Sequence, residues 1–191
     1  METVGRRERK KAQTRQALSD AALELFLERG YDQVTVAEIA TAADTALGTV
    51  FKHFPDGKES LIFDDGSQRT AALVSAVRDR PAGQSILRAL RDFLSTRGPF
   101  RFDPSPDFQR KTELIVDTPA LREYQLKLWI RSQDALAEAI GAESGRTADA
   151  ITIRALARYV LEIPDLAGTQ PDPRAALNAI FDLLERGWPE T

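Results

Sequence analysis

The sequence predicts an all-α protein, a three-helix helix-turn-helix domain followed by a larger helical domain, about nine helices in all. Three observations predict it: apolar residues recur at spacings of three and four almost throughout, no segment alternates as a half-buried strand does, and capping signals punctuate the chain at helical lengths. At 191 residues with 42% hydrophobic content, the chain has ample material for a core.

From Arg9 to Arg29, Ala17, Leu18, Ala21, Ala22, Leu25 and Phe26 form one apolar stripe, and Gly30 ends that helix. Thr35 and Glu38 have the spacing of a capping box, which opens a second helix over Val36 to Ala43. After a tight turn at Asp44 and Thr45, the i, i+3, i+7 spacing of Leu47, Val50 and Phe54 predicts a short third helix that turns these three inward. Pro55, Asp56 and Gly57 stop it. Further helices are expected at about 58–80, 82–97, 105–117, 119–142, 147–163 and 173–186. Thr118-Pro119 and Asp172-Pro173 each place an N-cap before a proline at the first helical position, and Gly141, Gly168 and Gly187 stand where C-caps are wanted. The Pro- and Gly-rich stretch 98–107 reads as a loop. The expected division is a flexible basic arm over 1–8, a helix-turn-helix domain over 9–57 and a second domain over 58–191.

Charge is unevenly distributed. Residues 1–15 carry six cations against two carboxylates, a net of +4 that leaves −7 for the rest of a chain whose formal total is −3. A basic arm (Arg6, Arg7, Lys10, Lys11) beside a helix-turn-helix suits phosphate contact, with a solvated tail as the plain alternative. With Leu47, Val50 and Phe54 inward, the third helix presents Thr45, Gly48, Thr49, Lys52 and His53. These are side chains that meet phosphates and base edges, with a glycine that lets the backbone come close.

Other function classes find little support. The chain has no cysteine, so disulfides, zinc thiolate sites and cysteine nucleophiles are excluded. Its single histidine is His53, no Gly-x-Ser-x-Gly occurs, and HFPDGKES lacks the first glycine and the hydroxyl of a phosphate loop. No enzyme activity, metal or cofactor is expected. No stretch has the length and apolarity of a membrane span, so the expected location is the cytoplasm. A helical protein-interaction adaptor without DNA specificity is the alternative reading.

The stretch ALSDAALELFLERGYDQVTVAEIATAADTALGTVFKHFPDGKESL resembles the DNA-binding domain of the TetR family of bacterial regulators, over roughly residues 10–63. The resembling parts are Phe26, Gly30 and Tyr31, then Thr35 and Ile39-Ala40, then Gly48 to Pro55 with Lys58-Glu59. The resemblance implies that Thr35, Thr49, Phe51, Lys52, His53 and Lys58 touch double-stranded DNA, mostly its phosphates. Departures from the family pattern are Asp44 for a turn glycine, Ala46 for a serine-type cap, Leu47 for a residue that is often polar, and Phe51 for tyrosine. FPDGKE is also one residue longer than usual. Thin direct base readout is therefore expected, with arm and DNA shape contributing more.

LIFDD, RPAGQSILRALRDFL and ELIVDTPALREYQLKL are similar to the C-terminal domain of the TetR subgroup that includes the mycofactocin-system regulator. That similarity implies a small-molecule effector, acyl-CoA-like in class, with repression as the default mode. Phe93, Leu114, Tyr124, Leu128 and Trp129 are the candidate ligand-binding residues, although such a stripe is more often core. The family also implies a homodimer through the last two helices, for which Leu156, Tyr159, Leu177, Ile180, Phe181 and Leu184 are the candidates.

Overall fold

The computed structural model describes residues 5–103 and 105–187, and among them every regular element is helical. The α-helices are α1 (Arg6–Arg29), α2 (Val36–Ala42), α3 (Leu47–His53), α4 (Ser67–Arg78), α5 (Ile86–Ser95), α6 (Pro106–Asp117), α7 (Pro119–Ile130), α8 (Gln133–Ser144), α9 (Ile151–Gly168) and α10 (Pro173–Arg186). Single 3-10 turns occur at Tyr31–Gln33, Lys58–Leu61 and Gly98–Phe100.

Most departures from the sequence expectations have a local cause. α1 begins at Arg6, so residues 6–8 of the expected arm are helical, with Glu8 favourably placed in the first turn; residues 1–4 lie outside the described residues. The expected helix 58–80 is interrupted because Gly66 takes φ +77° and the Asp65 carboxylate accepts from the Ser67 N–H (2.9 Å) and hydroxyl (2.7 Å), starting α4 afresh. The expected helix 119–142 breaks before α8, where the buried Ser132 hydroxyl lies 2.7 Å from Thr70 Oγ1 of α4. The partly buried Thr70 hydroxyl also donates to the Gly66 carbonyl (3.0 Å), so it gives the buried Ser132 hydroxyl a partner away from water. Gly141 does not cap α8 but sits inside it, where a Cβ would come within 2.9 Å of the Arg146 carbonyl oxygen. Gly145, at φ +67°, is the left-handed cap instead. α9 runs on through Pro164 to Gly168 rather than stopping at 163.

The chain divides into two units. The first takes in residues up to Asp64 together with Pro106–Leu121. Its core joins Leu18, Ala22 and Phe26 of α1 to Ile39 of α2, Val50 of α3, and Phe54, Leu61 and Leu121. Leu114 and Ile115 of α6 pack against the same core, which is why this mid-chain helix belongs with the N-terminal elements rather than with the rest of 58–191.

The second unit comprises Asp65–Ser105 and the chain from Arg122 onward. Its core is built by Leu73 and Val77 of α4, Leu90, Phe93 and Leu94 of α5, Trp129 of α7, Leu136 and Ile140 of α8, Ala157, Val160 and Leu161 of α9, and Leu177 and Phe181 of α10. Leu177 and Phe181 are thus interior residues of one chain rather than surface available to a partner. The apolar stripe of α10 is spent on α5 and α9 of its own unit.

Lys58 organises the first unit's last turn. Its ammonium donates to the carbonyl oxygens of Tyr31 (2.8 Å) and Val34 (3.0 Å), and lies 3.8 Å from the Tyr31 ring centre and 5.6 Å from that of Phe26. The Tyr31 hydroxyl in turn donates to Glu59 at 2.5 Å. Desolvation lowers the Lys58 pKa and raises that of Tyr31. The half-buried Lys58 is thus engaged by carbonyls and rings of its own unit, partners that the family resemblance does not name. Lys58→Ala strands two carbonyls and removes a cation over two rings, so it is expected to cost about 2 kcal/mol of stability in urea unfolding. A variant as stable as the parent would return Lys58 to a surface role.

Candidate nucleic-acid interface

The face formed by α1, α2 and α3 is fixed by local chemistry at each joint. Thr35 is extended and its hydroxyl accepts from the Glu38 N–H (3.2 Å), while Glu38 accepts from the Thr35 N–H (2.8 Å) and hydroxyl (2.7 Å). Arg29 at the end of α1 pairs with the same carboxylate at 2.7 Å. These bonds, the Thr35 backbone first, hold the Glu38 carboxyl down to about 2. The turn between α2 and α3 places Asp44 at φ +48°, the one non-glycine residue with positive φ among those described, and the Thr45 N–H closes it onto the Ala40 carbonyl (2.9 Å).

At the far end of α3, the Arg15 guanidinium donates to the His53 carbonyl oxygen (2.6 Å) and stacks 4.1 Å over the Phe54 ring. It satisfies a helix-end carbonyl and places a cation at the negative pole of the helix. The first turns of α1 are thereby fixed beside the end of α3. Arg7, Lys10, Lys11 and Thr14 face Lys52 and His53 across an open groove of about 450 Å³, with Glu8 its single carboxylate among the described residues. Desolvation first, then repulsion from Lys11, Lys52 and Arg15, pushes the His53 pKa down, so its imidazole is neutral at neutral pH. A groove with four cations and an uncharged imidazole is suited to phosphate oxygens.

Several predicted residues therefore converge: Arg7, Lys10, Lys11, Lys52 and His53 line the groove, and Arg6 lies exposed at the start of the same helix. Gly48 and Phe51 are exposed on α3, and Thr45 and Thr49 are partly so. Thr35 is exposed, but its hydroxyl is engaged in the cap. Leu47 departs from expectation: Val50 and Phe54 are buried at 1% and 2%, whereas Leu47 is 43% exposed. The apolar spacing is right, but the core ends at Val50 and leaves the first turn of α3 uncovered. Arg15 escaped the sequence reading, because a cation on an amphipathic helix gives no sign that its head will fold onto a carbonyl far along the chain.

The candidate ligand-binding residues do not form one cluster. Phe93 and Trp129 lie in the second unit's core, Leu128 is buried, Tyr124 is half-buried, and Leu114 packs in the first unit. Within the second unit, the Arg97 guanidinium covers the Phe93 ring at 3.6 Å and that of Arg69 covers Trp129 at 4.8 Å. Among the described residues, no group of three His, Cys, Asp or Glu side chains could hold a metal, and no helix is long and apolar enough to cross a membrane.

Comparison with known proteins agrees with this layout. Residues 18–64 match the family described as bacterial regulatory proteins, tetR family, and residues 84–189 match the MftR C-terminal domain. The chain is 41% identical over 86 residues to the HTH-type transcriptional regulator TcmR of Streptomyces glaucescens, covering 45% of this chain but only 38% of TcmR. It is 28% identical over 142 residues to the mycofactocin biosynthesis regulator MftR of Mycobacterium tuberculosis, covering 74% of this chain and 70% of MftR. Among solved structures it is similar to the TetR-family repressor FadR of Thermus thermophilus in complex with lauroyl-CoA, with a TM-score of 0.52, 25% identity and coverage of 93% and 96% of the two chains. It also shares its fold with FadR of Bacillus halodurans, with a TM-score of 0.55, 20% identity and full coverage of both. With its helix-turn-helix matched at one end and its larger domain at the other, the chain belongs to the TetR family of bacterial transcriptional regulators, in the group with an MftR-type C-terminal domain.

Proposed function

We propose that the protein acts in the cytoplasm as a homodimeric repressor that binds a pseudo-palindromic operator and is released by a small, largely apolar effector of acyl type. The observation that supports DNA binding best is the basic groove between the first turns of α1 and the end of α3, held open by Arg15. Phosphates seated there set the register, and α3 enters the major groove. The effector reading rests on the MftR-type domain and on the lauroyl-CoA held by a structural neighbour. A ligand that lowers operator affinity 10- to 100-fold needs a coupling of only about 1.4 to 2.7 kcal/mol, within reach of one partly buried acyl chain.

For the dimer, the exposed side chains of α9 are the better candidates: Ile151 is 78% and Leu166 45% exposed, with the half-buried Tyr159 between them. Leu156, Ile180 and Leu184 are partly buried at the edge of the core and belong to the rim of such a surface. Leu166→Asp should yield folded monomers in sedimentation, because it places a charge in an apolar contact. Phe181→Ala should instead cost about 3–5 kcal/mol of stability, because it opens a cavity. A dimeric Leu166→Asp protein would exclude this face.

Selection of bound sequences from genomic DNA tests the operator reading, with half-site centres expected about 34–36 Å apart or somewhat more. Lys52→Ala should weaken the selected complex by about 1–3 kcal/mol, and deletion of residues 1–11 should flatten the dependence of affinity on salt. A protein that shows no preference for any selected duplex over random DNA would defeat the proposal. Addition of lauroyl-CoA to the complex should lower operator affinity at least 10-fold; unchanged affinity would remove acyl-type sensing.

A further inference from the structure

Among the described residues, five large apolar side chains are exposed, and two of them, Leu47 (43%) and Phe51 (54%), lie on the seven-residue α3. They are four residues apart, so they stand on adjacent turns and make a short apolar ridge. No described residue of the first unit covers it: the core of this helix is supplied by Val50, with Phe54 just beyond its end. The ridge is bordered by Gly48 and Lys52 and lies on the helix whose far end, at His53, closes the cationic groove with Arg7, Lys10 and Lys11. Apolar side chains framed by cations ask for an occupant that is polyanionic overall yet offers small apolar groups between its charges. Duplex DNA meets that description best at the thymine 5-methyl group in the major groove; guanine, adenine and unmodified cytosine carry no methyl group there.

We propose that Leu47 is a base-reading residue that selects thymine through its 5-methyl group, with Phe51 flanking the contact and excluding water from it. The proposal rests on the DNA-binding reading above and adds to it which residue reads the operator and what chemical feature is read. Leu47 heads α3, the end of a recognition helix that approaches base edges, and its exposure leaves the side chain available without unfolding anything. Removing one methyl group from the DNA should therefore weaken binding by about three- to fivefold, the loss of one buried methyl.

The test uses the full-length protein and its selected duplex, with each thymine of one half-site replaced in turn by deoxyuridine. One or two positions should lose about three- to fivefold with the parent protein, and Leu47→Ala should abolish that penalty. At the same position, 5-methylcytosine should bind more tightly than cytosine by a similar factor with the parent protein, a comparison that needs no variant. Circular dichroism should show Leu47→Ala as folded as the parent, since this side chain fills no core position. The proposal falls if every deoxyuridine duplex binds like its thymine counterpart, if the penalty survives in Leu47→Ala, or if Leu47→Ala binds all duplexes unchanged. Failure to select any duplex at all would fail the DNA-binding reading first, a result distinct from a selected operator that is indifferent to methyl groups.

Discussion

The contact of Arg15 with the end of α3 governs what the first unit displays. α3 has seven residues, too few to be stable by itself, and its last carbonyls need donors. The guanidinium supplies one, and its flat face also covers Phe54, so one side chain ends a helix, shields an aromatic ring and fixes two elements side by side. The cations of α1 and α3 repel one another across the groove they share, and they remain together because this contact and the apolar core beneath them outweigh that repulsion in high dielectric. The His53 pKa is pushed down first by desolvation and then by these same neighbouring cations. Counter-charge from a polyphosphate would relieve that repulsion, which is the physical basis of the phosphate contact proposed for this groove.

Much of this was legible in the sequence, and the reasons differ by element. The helical class followed from periodicity, and α2 was located by the Thr35–Glu38 spacing, whose reciprocal bonds are present. The basic groove was half legible: its members Arg7, Lys10, Lys11, Lys52 and His53 were nameable from charge and helix face, but their convergence depends on Arg15. Lys58 shows what resemblance leaves out. A lysine after a turn can meet a phosphate or fold back on open carbonyls, and only the positions of Tyr31 and Val34 decide between them. Leu47 misled, because spacing fixes the direction of a side chain but does not reveal whether another element arrives to cover it.

The second unit was less legible in its site than in its fold. α10 was read for its apolar stripe, but a stripe does not say whether it meets the same chain or another, and Leu177 and Phe181 proved interior. Two of the aromatic residues chosen as ligand contacts, Phe93 and Trp129, are core by burial, each with a guanidinium over the ring, whereas Tyr124 is only half-buried. The helix break at Ser132 was invisible because it arises from a hydroxyl pair formed by residues distant in sequence.

The assignment of Pro106–Leu121 to the first unit bears on how this architecture can be cut and recombined. The backbone leaves that unit after Asp64, returns at Pro106 and departs again after Leu121, so the DNA-facing half is interleaved with the other half rather than strung before it like a bead. A fragment ending near residue 57 or 64 would lack Leu121 and the side chains of α6, and would bare the apolar surface they cover. Chimeras that exchange the reading head between relatives must therefore transplant two separate stretches of gene. Recombination of this chain at a single junction would leave the first unit with an incomplete core.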